Sequence, residues 1–196
     1  MSTNDKKQET LPISDGIRIE SSTNGVSGSN TTVSHYYCTI PTGEKSNVYL
    51  GLGTSKSFDY NPAENTSFQS SVPAVDIRFN QTIFKGKISD LQVYERGRFT
   101  NFTDKENASA QIRGALNYNI KLNPSGNWKA NVGGHVSTVF QHDYNIIDNS
   151  NAGLWGSFSY IDKKTGVSCT LEEQVNFAKK GFSPYTNFIV KIPIGK

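Results

Sequence analysis

The chain is poor in the residues that most folds lean on. Its 196 residues include one methionine, two cysteines, two tryptophans and seven prolines, and only 19% are charged. No apolar run reaches the length of a membrane-spanning helix, about 20 residues. No segment sustains a 3.6-residue apolar stripe; residues 170–180 come nearest. These absences exclude a coiled coil, a helical bundle, a collagen and a helical membrane span. Cys38 and Cys169 are far apart in sequence and form no CxxC pair, which argues against structural zinc. They are read either as one disulfide or as two small buried hydrophobes.

Charge of one sign is also missing. Lys and Arg number 20 against 17 Asp and Glu, for a formal net charge of +3. The densest basic cluster is Arg96-Gly97-Arg98. A nucleic-acid groove needs more cations interleaved with aromatics on one face, so no nucleic-acid partner is expected. Met1 to Glu9 is polar, without the apolar stretch of a signal peptide. The chain as given therefore reads as soluble.

What the chain has is uncharged polarity. Asn, Ser and Thr together number 57, beside 17 Gly. These are poor helix-interior residues and common in strands and turns. Five Asn-x-Ser/Thr triplets follow from that composition and carry no compartment signal. Aromatics at 11% exclude a disordered chain. A domain of this length buries roughly 70% of its unfolded surface and needs no staple.

The arrangement is strand-like. From Ala110 to Leu122 the even positions are Ala, Ile, Gly, Leu, Tyr, Ile and Leu, and the odd ones are mostly polar. That is period two, the mark of a strand with one wet face. Asn123 to Asn127 (Asn-Pro-Ser-Gly-Asn) is a turn by composition, and Trp128 to Tyr144 continues the alternation. A second hairpin joins residues 154–160 to 167–177 through Asp162-Lys163-Lys164-Thr165-Gly166, with Gly placed for a positive φ. Residues 188–194 make a last strand, and 33–40, 48–52, 75–84 and 87–95 make earlier ones. The expected fold is all-β: a single-domain antiparallel β-barrel, alternatively a curled β-sandwich, of about 8–10 strands. Residues 1–31 read as a flexible polar arm with one short strand at 17–20, and 32–196 as the β domain. A membrane barrel shows the same alternation, but no aromatic girdles stand out along the sequence, so no membrane span is expected.

Two polar residues break the apolar parity. His142 shares the face of Phe140 and Tyr144, and Glu173 the face of Leu171 and Val175. Facing inward, they could serve as acid and base in a barrel isomerase or cyclase. A bulge near Thr138 would instead turn His142 outward, and Glu173 could sit at a strand end. No HExxH or GxSxG occurs, and no two histidines have metal-ligand spacing, so neither a metal nor a cofactor is expected. Gly43-Glu44-Lys45-Ser46 and Gly51-Leu52-Gly53 lack the flanking residues of a phosphate loop or a dinucleotide fingerprint. Asp143, Asp148, Asn149 and Asn151 read as an ordinary polar loop, because the oxygen ladder of a calcium site fails at its third rung.

Aromatics carry the binding expectation. Trp155 stands beside Ser157 and Ser159, opposite Leu154, Phe158 and Tyr160, and Trp128, Tyr144 and Tyr160 join it as candidates. The lead expectation is a soluble, non-enzymatic protein that recognises a glycan, a small apolar ligand or a protein surface. A homo-oligomer would cover both faces of the sheet. The alternatives are the His142–Glu173 enzyme and a pore-forming toxin inserting residues 110–145.

Overall fold

A computed structural model describes residues 14–24, 30–61, 66–104, 108–141, 150–179 and 181–194. Ten strands run in chain order. They are β1 (Ser14–Asn24), β2 (Asn30–Gly43), β3 (Ser46–Asn61), β4 (Thr66–Lys85) and β5 (Ser89–Thr100), then β6 (Ser109–Lys121), β7 (Trp128–Gln141), β8 (Ser150–Ile161), β9 (Ser168–Ala178) and β10 (Gly181–Pro193). Each pairs antiparallel with the next, and β1 pairs with β10 from Gly16↔Pro193 to Asn24↔Tyr185. The barrel is closed, so every edge is paired. The all-β antiparallel barrel expected from the alternation is the fold, with ten strands and no sandwich.

The predicted hairpins are there in register. β6 and β7 pair from Ser109↔Gln141 to Lys121↔Lys129, and β8 and β9 from Asn151↔Ala178 to Ile161↔Ser168. Gly126 (φ 69°) and Gly166 (φ 76°) supply the left-handed residue of the two intervening turns. Residues 170–178 are strand, not helix. Part of the segment read as an arm, Ser14–Asn24, is strand β1.

Four tight connections, at 44–45, 86–88, 122–127 and 162–167, lie at one end, here the turn end, together with the start of β1 and the finish of β10. Two register shifts, at Pro41/Gly43 and Thr82/Phe84, also sit there, where bulges let strands bend into turns.

The partition of residues is inverted relative to a water-soluble domain. Every strand exposes at least one large apolar side chain outward, among them Ile19, Leu52, Ile77, Val136 (66% exposed), Leu154 (61%) and Phe188. The inward row is polar and charged: Arg18, Glu20, His35, Asp76, Arg96, His135, Gln174 and Asn187 are all buried. Val33, Tyr37, Tyr49, Ala74 and Trp155 are the buried apolar residues among those described. Monomeric soluble proteins do not expose a continuous apolar belt of this kind. Cys38 and Cys169 are both free thiols.

Candidate functional site

Inside the barrel the strand pleat aligns charges at every second residue. Arg18 and Glu20 on β1, Asp76 and Arg78 on β4, and Arg96 and Arg98 on β5 all project into the lumen. Arg78, Arg96 and Arg113 are direct register partners across β4, β5 and β6, which makes a ladder of like charges. Such a ladder is repulsive unless counter-charge reaches it.

Two carboxylates supply that charge to one part of the ladder. Asp76, 2% exposed, accepts from Arg78 Nε and Nη2 at 3.0 and 2.9 Å, from Arg96 Nη2 at 2.5 Å and from Arg98 Nη2 at 3.1 Å. Glu20 approaches from β1. It binds Arg18 Nη2 at 2.9 Å and lies 3.4 Å from Arg98 and 3.7 Å from both Arg78 and Arg96. β1 is not a neighbour of β4 or β5, so this contact bridges the lumen. Buried, multiply hydrogen-bonded pairs of this kind are costly to break from one side.

Aromatic and imidazole rings fill the lumen beside that bridge. His35 pairs with the Tyr49 hydroxyl, and Tyr49 stacks on Tyr37 at 5.3 Å between centroids. Trp155 donates from Nε1 to Asn131 Oδ1 at 2.7 Å and lies 5.6 Å from the His135 ring. Inward glycines make room for these rings. A Cβ on Gly133 would strike Trp155, and one on Gly153 would strike His135. Arg113 donates to His135 Nδ1 at 2.9 Å. Arginine has only donors, so His135 Nδ1 accepts and its proton sits on Nε2.

A cavity of about 320 Å³ occupies the turn-end half of the lumen. Its cations are Arg18, Arg78, Arg96, Arg113, Lys129 and Lys191, against the carboxylates Glu20 and Glu172. Asn80, Asn117, Asn119 and Asn131 complete a polar wall with Ser157, Ser159 and Thr170, and Tyr94 and Trp155 add ring faces. The arrangement can hold or pass small polar solutes and favours negative ones.

The predicted site residues scatter across this frame. Trp155 is inside, 6% exposed, on the cavity wall. Trp128 and Tyr160 are outside at the turn end, with ring centroids 5.0 Å apart. Glu173 is also outside, where its carboxylate accepts from the Thr186 hydroxyl at 3.0 Å. His142 and Tyr144 lie outside the described residues. An enzyme reading that needs Glu173 in the interior is therefore corrected: the apolar row it shares faces outward. The residues missed are the lumen charges. Their signal was the spacing Arg18-x-Glu20, Asp76-x-Arg78 and Arg96-x-Arg98, charges two apart on one strand face.

Comparison with solved structures agrees with this geometry. The fold resembles an outer membrane channel from Pseudomonas putida F1, with a TM-score of 0.52 and 8% identity over 98% of this chain and 100% of that one. It also resembles the NanC porin, with a TM-score of 0.52 and 5% identity over 91% and 100% of the two chains. No protein-family model matches the sequence, and no curated protein matches it.

These findings correct several expectations. The soluble binding protein for a glycan, apolar ligand or protein surface gives way, because its apolar face is the exposed outside of a closed barrel whose fold resembles an outer membrane channel. So do the soluble localisation and the absence of a membrane span. Residues 110–145 do not form a separate inserting hairpin: their described part, up to Gln141, is two strands of a complete ten-strand wall. Aromatics read as missing from the rims are there once the strands are set side by side. Phe84, Tyr118, Trp128 and Tyr160 are exposed near the turn end, and Phe99, Phe102, Phe177 and Phe182 near the other.

Proposed function

We propose that the protein is a membrane-spanning β-barrel channel that admits small anionic solutes into a cationic lumen. The observation that carries the reading is the inversion itself: apolar side chains outside on all ten strands, and buried arginines and carboxylates within a closed wall. In a bilayer only a closed barrel or a helix satisfies every backbone group, and this chain supplies the barrel. Spanning strands need about 9–11 tilted residues, and the shortest strands here have 11. The two aromatic sets lie where a bilayer has its interfaces. The Glu20–Asp76–arginine bridge crosses the lumen, so conductance should be small and anion-selective rather than that of a wide pore.

Two measurements test the reading. Purified protein should need detergent to stay dispersed, and a chain monodisperse in plain buffer would sink the membrane reading. Reconstituted in a planar bilayer across a KCl gradient, it should show steps whose reversal potential follows chloride. Silent bilayers would remove the channel and leave only the membrane barrel, and cation-selective steps would overturn the anion preference.

A further inference from the structure

The arginine ladder is matched unevenly. Arg78 and Arg96 share Asp76 and Glu20, but no carboxylate pairs with Arg113 among the described residues. Its partners are neutral: His135 Nδ1 at 2.9 Å, Gln174 Oε1 at 3.3 Å, and the ring faces of Trp155 at 4.9 Å and Tyr94 at 6.0 Å. Arg113 Nε is buried without an acceptor. Arg18, 4% exposed and on the same cavity wall, has the same deficiency at its Nε, since only its Nη2 reaches Glu20. Lys129 and Lys191 line the cavity with no ion pair among the described residues. The carboxylates present are committed elsewhere. Glu20 belongs to the bridge, and Glu172 accepts from Asn187 Nδ2 at 2.8 Å.

A buried guanidinium with an idle N–H is expensive unless something accepts from it. Two such donors and two lysine amino groups without an ion pair among the described residues, all around one cavity, make a receptor for negative oxygen. We propose that the turn-end cavity binds one small oxyanion, a carboxylate, phosphate or sulfate group, with Arg113 as its principal anchor and Arg18 Nε as a second donor. With its Nη2 given to His135 and Gln174, Arg113 keeps its Nε N–H for an oxygen of the anion, and Trp155 and Tyr94 hold the guanidinium in place from its faces. The proposal deepens the channel reading and rests on it in one respect, that the cavity is reached by solutes at the turn end. It names where a passing anion pauses.

Trp155 is a built-in reporter, because it touches Arg113. In a Trp128→Phe background it is the sole tryptophan. Inorganic phosphate titrated into the detergent-held barrel, at ionic strength fixed with chloride, should change its emission saturably. Arg113→Gln should raise the midpoint about tenfold or more, and Arg113→Lys should fall between, since it keeps the charge but loses the Nε donor. Lys164→Gln, which removes a charge on the β8–β9 turn, should leave the midpoint unchanged. If phosphate, sulfate and acetate all give no saturable change, or if Arg113→Gln leaves the midpoint where it was, the site is disproved. Should Arg113→Gln fail to fold, an unchanged midpoint in Arg113→Lys disproves it equally. Binding in micelles with silent bilayers keeps the site and removes the channel; anion conductance without saturable binding does the reverse.

Discussion

The two surfaces of the barrel wall are made by the same ten strands and carry opposite chemistry. On β8, Leu154, Phe158 and Tyr160 point out while Trp155, Ser157 and Ser159 point in. On β4, Ile77 and Phe79 point out while Asp76 and Arg78 point in. In the membrane reading the outer surface gains its stability from the medium around it and tolerates change of shape. Around Glu20 and Asp76 the inner surface gains it from mutual neutralisation, and that cluster tolerates little change of charge. That difference says where a substitution should hurt, and why.

The largest effect is expected inside. Asp76→Ala removes the shared acceptor of Arg78, Arg96 and Arg98 and leaves like charges facing each other in a buried cluster. A loss of about 3–5 kcal/mol is expected, read as a lowered urea midpoint for unfolding from micelles or vesicles. Asp76→Asn should recover part of it by keeping acceptor geometry. An Asp76→Ala barrel as stable as the parent would mean that the arginines find other partners and that the bridge is incidental.

Outside, the sign of the test reverses. Leu154→Arg places a charge in the apolar belt and should cost about 2–4 kcal/mol if that position lies near the bilayer centre. Leu154→Val should cost little, since lipid fills the space that a protein core would leave empty. Were the outer row packed against a partner protein, Leu154→Val would leave a cavity and hurt visibly. The pair of variants therefore separates lipid from protein as the cover.

How far the sequence could be read follows from this same comparison. Period-two alternation is a property of the strand, so β6 to β9 and both of their turns were legible residue by residue. Alternation does not say which row faces water. Val132, Val136 and Leu154 would make a good core or a good lipid surface, and only closure of ten strands decides between them. Glu173 is an intruder in an apolar interior only if its row faces inward, and that row faces outward. The charges of the lumen ladder and its bridge are spread over β1, β4, β5 and β6, where no local window brings Glu20 near Arg98. Even Arg96-Gly97-Arg98, noticeable as a basic cluster, hid its partner Asp76 on the neighbouring strand.

A smaller effect belongs to the outer rim. Trp128 and Tyr160 sit on adjacent strands as direct partners, with tilted rings 5.0 Å apart. A double-mutant cycle to alanine should give a coupling of about 0.5–1.5 kcal/mol. The coupling should hold in vesicles. Zero coupling there would make the two rings independent interface anchors instead of a pair.

The smallest effect is confined to a turn that neither surface controls. Asp162 closes the β8–β9 connection by accepting from the Lys164 N–H at 3.0 Å and the Thr165 hydroxyl at 2.7 Å. The Thr165 hydroxyl first, and the backbone N–H groups after it, hold its carboxyl below the usual carboxylate range. A depressed carboxyl stabilises the folded turn above the unfolded pKa, and the contribution disappears as pH falls through the folded one. The protection of the Lys164 amide, its exchange rate relative to the intrinsic rate at the same pH, should therefore hold at neutral pH and fall only in acid, below the range where an ordinary aspartate protonates. In Asp162→Asn that acid dependence should vanish while the barrel unfolds as before. If the acid step persists in the variant, another carboxylate sets it; if the whole barrel loosens with the turn, the turn is part of the cooperative wall and not an appendage to it.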